Sequence, residues 1–379
     1  MNQEIVIRKV QSGEDEAVWK IAKTLGMLER YYFYYLAYKP CKADALVAVD
    51  GKTIVGCVIP LIDTHAGEKV GMVEGIFVDR NVQGKGVGKA LVDAALSHFQ
   101  KEGCKTLYYI VDRFNSPSWN MALHRGFDLF EFNEQLRLFG WKILSLWWVN
   151  GYLWDPGTFL LRKTGKESRI TREAGAGWHF LLAWLGFSLV LWMVGIRHDA
   201  PWLNYAPFVL GVAGVTIFAH ELSHKLIARF LGLKTIFKVW ESGLVISALL
   251  ALLGVLIPFY GSTFIRQKDW SYNKDVKKMG LIYMAGPAVS LILASCFLAL
   301  AYWANTEVGA IQRLCAAYGR SPLLGTVGFW ANSAMVFFNL IPLFPFTPFD
   351  GKRIFLWNKT LWSLLVIWLI LLLGVKTFL

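Results

Sequence analysis

His220-Glu221-Leu222-Ser223-His224 reads H-E-x-x-H and lies inside Tyr205 to Leu231, a run otherwise apolar enough to sit in a membrane. On a helix, positions i and i+4 share a face. His220 and His224 can therefore offer two imidazole nitrogens to one zinc ion (Zn2+), with Glu221 beside the open coordination position as a general base. Two histidines and a glutamate at membrane depth are expensive unless they face a cavity, partner one another or hold a metal. The chemistry expected of them is activation of a water. A zinc hydrolase wants a third protein ligand, commonly His, Asp or Glu from elsewhere in the fold. Asp350 is the candidate, at the end of the proline-rich stretch Asn339-Leu-Ile-Pro-Leu-Phe-Pro-Phe-Thr-Pro-Phe-Asp350-Gly351. Such a stretch cannot finish as regular helix, so backbone polar groups are freed beside a cavity. Taken alone, Asp350-Gly351 reads as a turn at a membrane surface.

A different chemistry is written into Asn81-Val-Gln83-Gly84-Lys85-Gly86-Val87-Gly88-Lys89, between a strand ending near Asp79 and a helix from Ala90 to Lys101. Glycines at a strand-to-helix turn let backbone N–H groups approach a pyrophosphate, and the helix N-terminus favours its charge.

The elements that must position these residues fall into two halves. Of the 379 residues, 55% are hydrophobic and 17 are tryptophan, so part of the chain belongs in lipid. Charged residues occur at ordinary density from Met1 to about Lys163, whereas most of the chain after Gly177 is long apolar runs. The expected domains are 1–163, a basic linker 164–176, and a membrane domain 177–379. The net charge of +12 concentrates in loops flanking apolar runs, which suits anionic lipid and membrane topology rather than nucleic acid. The five cysteines show no C-x-x-C spacing and imply neither a disulfide framework nor a thiolate zinc site. The N-terminus lacks the apolar core of a signal peptide.

Five runs are long enough to span: 177–196, 205–231, 279–303, 324–344 and 360–379. The basic residues Arg162, Lys163, Lys166, Arg169 and Arg172 place the start of the first span in the cytosol. If a sixth apolar run, Gly243 to Gly261, also crossed, Arg266, Lys268, Lys274, Lys277 and Lys278 would lie outside. A re-entrant excursion keeps them inside, with Lys352 and Arg353 also cytosolic.

Taken together, H-E-x-x-H, Ala285-Gly286-Pro287-Ala288-Val289-Ser290 and the N-x-x-P…D-G element at Asn339, Pro342, Asp350 and Gly351 resemble the site-2 protease family of intramembrane zinc proteases. The resemblance covers about Gly177 to Leu379. It implies that His220, His224 and Asp350 bind zinc, that Glu221 is the base, and that Asn339 lies near the substrate backbone or the ligand helix. It also implies that Gly243 to Gly261 engages substrate. The family's Pro-Leu-Asp-Gly-Gly stands here as Pro-Phe-Asp-Gly-Lys, and Pro345-Phe-Thr adds length before it.

In the first half, Ile5 to Val10 reads as a strand, Asp44 to Ile59 as a hairpin with an Asp50-Gly51 turn, and Gly71 to Asp79 as a strand. Leu107 to Val111 would be the next strand and Asn115 to Phe127 a helix. With Q-x-x-G-x-G in that setting, residues 4 to 163 resemble the GNAT acetyltransferases. The resemblance implies that Gln83, Gly84, Lys85, Gly86, Val87, Gly88 and Lys89 cradle the pyrophosphate of acetyl-CoA, with Val78 and Asn115 along the cofactor. Glu74, on the same strand face as Val78, is the natural base for an amine, or else a solvated strand residue. The family's tyrosine, seven residues after the asparagine, is replaced by Ala122. Tyr31, Tyr32, Tyr34 and Tyr35 close an acceptor site or rest on lipid. Gly140 to Val149 is oddly aromatic for a soluble strand, which suits contact with the bilayer or with the membrane domain.

The expected fold is therefore an α/β GNAT-like domain, a mixed sheet with flanking helices, followed by an all-α polytopic membrane domain of five or six transmembrane segments. The leading reading is an intramembrane zinc endopeptidase in the cell membrane. It would cut transmembrane protein substrates and carry a cytosolic acetyl-CoA-binding domain, regulatory or acetyltransferase. The alternatives are a membrane-anchored N-acetyltransferase on an inactive protease-like anchor, and a sensor that binds ligands without catalysis.

Overall fold

The computed structural model describes residues 5–24, 30–65, 67–113, 115–149, 152–154, 157–164, 175–198, 202–265, 275–305, 321–343, 346 and 348–378. Most of the basic linker, the loop charges Arg266, Lys268 and Lys274, and Pro345 and Thr347 lie outside the described residues. The chain divides into two compact units, one of Met1–Asp112, Pro117–Tyr152 and Thr158–Glu173, the other of Arg113–Ser116, Leu153–Gly157 and Ala174–Leu379.

The first unit is built on a seven-stranded sheet of order β1-β2-β3-β4-β5-β7-β6. The strands are β1 (Val6–Lys9), β2 (Leu46–Asp50), β3 (Thr53–His65), β4 (Glu68–Val78), β5 (Thr106–Asp112), β6 (Asp128–Leu129) and β7 (Thr158–Thr164). All pairs are antiparallel except β4 with β5. Helix α1 (Asp15–Ala22) and the π-helical Tyr32–Tyr38 cover one face, where Val18, Ile21, Tyr34 and Tyr38 join Val47, Val49, Ile59 and Phe77 in one core. Tyr34 is thus structural, whereas Tyr31 and Tyr35 are exposed and stack on each other. On the opposite face lies α2 (Val87–Lys101), reached through the glycine-rich turn. The remaining helices of this unit are α3 (Ser116–Leu123), α4 (Phe132–Phe139) and α5 (Ile143–Val149). The aromatic segment expected as extended is helical. Its inward residues Ile143, Leu146 and Trp147 recur at helical spacing, and buried Trp147 donates its indole N–H to Gln135 at 2.7 Å.

One irregularity in the sheet matters for function. Ile59 pairs with Gly75 but Pro60 pairs with Val73, so Glu74 is an extra, bulged residue in β4. A proline offers no N–H to the ladder, which makes Pro60 a natural place for the pairing to slip. The bulge inverts the alternation of side chains. A Cβ on Gly71 would strike Phe99 of α2, whereas Gly75 faces Phe33 on the other side. Parallel pairing of β4 with β5 runs from Val70–Thr106 to Val73–Tyr109 and stops at that bulge.

The second unit is helical: α6 (Ala176–Arg197), α7 (Trp202–Phe230), α8 (Glu241–Leu252), α9 (Val276–Asn305), α10 (Ser321–Leu340), α11 (Gly351–Trp357) and α12 (Lys359–Phe378). Among the described residues, four segments are long and apolar enough to cross a membrane: Ala176–Arg197, Ala206–Phe230, Val276–Trp303 and Lys359–Phe378. The fifth expected run is helical as α10, which ends at Leu340 ahead of Pro342, short of the expected Phe344. The ambiguous sixth run is an excursion. The twelve-residue α8 leaves from β8 (Thr235–Val239), and the chain returns as β9 (Gly261–Ile265), which pairs back on β8 with Val239 opposite Gly261. Departure and return therefore lie at one level. Arg353, read from sequence as a cytosolic topology charge, is buried: it donates to the carbonyls of Pro348 and Phe349 and lies over the Tyr283 ring.

Candidate functional site

His220, Glu221 and His224 stand on α7, all buried, with the two imidazole centroids 4.8 Å apart. Asp350 arrives from far downstream, at the turn into α11. His220 Nε2 lies 3.2 Å and His224 Nε2 3.5 Å from Asp350 Oδ2. The outer nitrogens are engaged elsewhere: His220 Nδ1 meets Ser290 Oγ at 3.0 Å, and His224 Nδ1 meets the Ile282 carbonyl at 2.7 Å. A carbonyl only accepts, so His224 must carry its proton on Nδ1, which turns the Nε2 lone pair inward.

Three features decide whether these residues fit a zinc ion. The donors are two imidazole nitrogens and a carboxylate oxygen, all within 4.8 Å of one another and all buried. Among the described residues, none donates a hydrogen bond to Asp350 Oδ2 or Glu221 Oε2. Space over the imidazoles is kept open by Gly286, where a Cβ would lie 2.4 Å from His224 Nε2 and 2.5 Å from His220 Nε2. Imidazole and carboxylate ligands whose outer atoms are held by hydrogen bonds suit zinc, and the residues fit it.

The excursion also positions the site. Tyr260, beside β9, donates its hydroxyl to Glu221 Oε1 at 2.7 Å and is itself buried. Its neighbour Phe259 stacks on Phe349, next to Asp350, with centroids 5.3 Å apart and planes 12° from parallel. Thus one hairpin braces both the candidate base and the segment that delivers the third ligand. Gly351 completes that delivery, since a Cβ there would meet the backbone of Leu340 at 2.5 Å and of Asn339 at 2.7 Å. Asn339 is buried, with its amide donating to the Met335 carbonyl one turn back. Sequence reasoning named the histidines, Glu221 and Asp350, which the fold brings together, but gave no role to Gly286, Tyr260, Ser290 or Arg353. Of these, Gly286 and Ser290 carried a signal, standing inside the Gly-Pro motif.

In the first unit, Gly84 and Gly86 adopt φ of +82° and +88°, and Gly86 caps α2 in the left-handed region, open only to residues without a side chain in the way. Gln83, Gly84, Lys85, Gly86 and Lys89 are exposed, Val87 is buried and Gly88 packs near Val78. The first-turn N–H groups of α2 have no intrahelical acceptors and face the approach of an anion. Gln83 Nε2 ties the turn back to the Val78 carbonyl at 3.2 Å. Asn115 is exposed just ahead of α3, and Ala122 is fully buried within it. Glu74 sits where β4 parts from β5, and burial pushes its carboxyl up to about 7.

The chain joins a domain of the GNAT acetyltransferase fold to a helical unit whose site combines two histidines, a glutamate and an aspartate. Residues 16–127 match the family described as the acetyltransferase (GNAT) family. A curated protein of Methanocaldococcus jannaschii, provisionally named a zinc metalloprotease, is 26% identical over 197 residues, covering 49% of this chain and 81% of the other. Among solved structures, the NatC complex bound to a Gag peptide and CoA is 21% identical, covering 42% of this chain and 98% of that one, with a TM-score of 0.32. The PaiA N-acetyltransferase of Thermoplasma acidophilum with coenzyme A is 16% identical, covering 42% and 99%, with a TM-score of 0.31.

Proposed function

We propose that the helical unit is an intramembrane zinc endopeptidase of the site-2 protease type, cutting transmembrane segments of membrane proteins. The observation that carries this reading is the meeting of His220, His224 and Asp350 in a buried cluster with Glu221 beside it. His220, His224 and Asp350 would hold the ion. When bound, zinc supplies Lewis acidity toward the scissile carbonyl and toward water. Glu221 takes the proton from the attacking water as the oxygen bonds to the carbonyl carbon, then delivers it to the amine as the C–N bond breaks. Tyr260 fixes Glu221 through Oε1, leaving Oε2 for that proton. A substrate helix must unwind locally first, because helical peptide groups are hydrogen-bonded to one another and shielded.

The test uses the full chain in vesicles with a labelled transmembrane peptide. Glu221→Gln should retain zinc while cleavage falls by about 10²–10⁴-fold, the range for loss of a general base. Undiminished cleavage by the purified variant would remove Glu221 from the mechanism.

The N-terminal domain binds acetyl-CoA, with Gln83, Gly84, Lys85, Gly86, Val87, Gly88 and Lys89 around the pyrophosphate and Val78 and Asn115 along the cofactor. One observation favours turnover there over binding alone: a carboxylate poised near neutrality at the parting of β4 and β5. Glu74 would accept a proton from an amine as its nitrogen attacks the acetyl carbon and the CoA thiolate leaves. The basic residues ahead of α6 favour a cytosolic place for this domain, in a multi-pass protein of the cell membrane.

A further inference from the structure

Helix α5 is apolar on two faces. Ile143, Leu146 and Trp147 are buried, whereas Leu144 and Trp148, together with Trp141 in the turn just ahead of the helix, are 43%, 63% and 87% exposed. In α4, Leu136 and Leu138 are also exposed, at 42% and 51%. A helix bathed in water on its outer face carries polar residues there, and a cluster of this size marks a contact surface.

Charge decides what the surface meets. Arg137 and Lys142 are exposed among these apolar residues, and no acidic residue occurs between Gln135 and Trp154. The acidic residue that precedes this stretch in the chain, Glu134, is paired with Arg162. Tryptophan and leucine edged by lysine and arginine is the composition of a segment lying in a lipid headgroup region, with the cations toward anionic lipid. The chain also supplies proximity. Strand β7 ends at Thr164 and α6 begins at Ala176, so even a fully extended connection reaches only about 40 Å at roughly 3.5 Å per residue. Such tethering lets a weak interfacial helix stay engaged.

We propose that α4 and α5 form a membrane-surface anchor, with Trp141, Leu144 and Trp148 inserted among the headgroups of an anionic leaflet. This holds whether or not either candidate site is catalytic.

The experiment places a benzophenone side chain at position 141 or 148 of the full chain, reconstituted in phosphatidylcholine and phosphatidylglycerol with a clickable lipid. Illumination should give lipid adducts at both positions about tenfold above the same probe at exposed Lys101, and omission of phosphatidylglycerol or the pair R137E and K142E should lower them. Adducts no more frequent than at Lys101, or adducts only to a second copy of the chain or another protein, overturn the proposal. Because every probe replaces an exposed side chain, a null result at 141 and 148 speaks against the lipid contact rather than against folding.

Discussion

At the scale of single residues, the candidate metal site depends as much on an absent side chain as on those present. Gly286 leaves the space in which both Nε2 atoms face Asp350, and a methyl group 2.4 Å from His224 Nε2 must displace an imidazole. Gly286→Ala should therefore weaken zinc retention by about 10–100-fold, the range for disturbed support of metal ligands, while the protein still inserts in membranes. Zinc content of the purified variant, measured against the parent after dialysis, checks this. Full occupancy would mean that the cluster shifts freely and that the glycine serves something else. Glu74 makes a prediction of opposite character, about a proton. Its carboxyl is raised to about 7, so it is protonated and unable to accept a proton below that pH, and ionised above it. Acetyl transfer to an amine should rise with pH through about 7 and then level off, and Glu74→Gln should abolish that inflection along with most of the rate. A profile unchanged by the substitution would leave Glu74 as a partly buried structural carboxyl.

At the scale of elements, what could be read in advance depended on whether a physical rule is local. The spacing of His220 and His224 on one helix is local, and so is the strand-to-helix turn of Gly84 and Gly86. That turn makes its own prediction. Valine at position 86 would have to hold φ of +88° and would crowd the first-turn N–H groups, so Gly86→Val should weaken acetyl-CoA binding by at least about tenfold in calorimetry on the full chain. Unaltered affinity would show that the ligand does not use this turn. Charge patterning also carried through, since the basic residues after Gly261 disfavoured a crossing and the chain between Val239 and Gly261 returns to its starting level. Other features were hidden because they arise from pairing at long range. The bulge at Glu74 follows from how β3 lies against β4, and nothing in Val73-Glu74-Gly75 alone announces it. Tyr260 stands in Pro258-Phe259-Tyr260-Gly261, where no local pattern marks it. Only the hairpin of β8 and β9 brings its hydroxyl to Glu221. The second role of Arg353 was hidden for the same reason: a cation after a span fits the topology rule, and it also straps the carbonyls ahead of Asp350.

At the scale of the whole molecule, the two units solve different problems of solvation. The helical unit pairs backbone within helices and one small hairpin, and gathers His220, Glu221, His224 and Asp350 in one braced cluster. The N-terminal unit leaves its sheet divided, since past Val73 and Tyr109 the strands β4 and β5 no longer hydrogen-bond to each other. That division has a thermodynamic consequence. Each strand remains paired on its far side, β4 to β3 and β5 to β7, so the sheet consists of two ladders joined along a short seam. Peptide groups along the open part of the seam lack a partner strand, and a ligand with amides of its own can lie between them as a surrogate. Binding then adds cohesion exactly where the ladder is weakest, and a ligand at a hundred times its dissociation constant adds about 2.7 kcal/mol to the folded state. Acetyl-CoA should accordingly raise the thermal midpoint of this unit and slow amide exchange at Ile110 and Val111 more than at Val47 and Ala48, in the remote ladder. Uniform protection would deny that the ligand closes the seam.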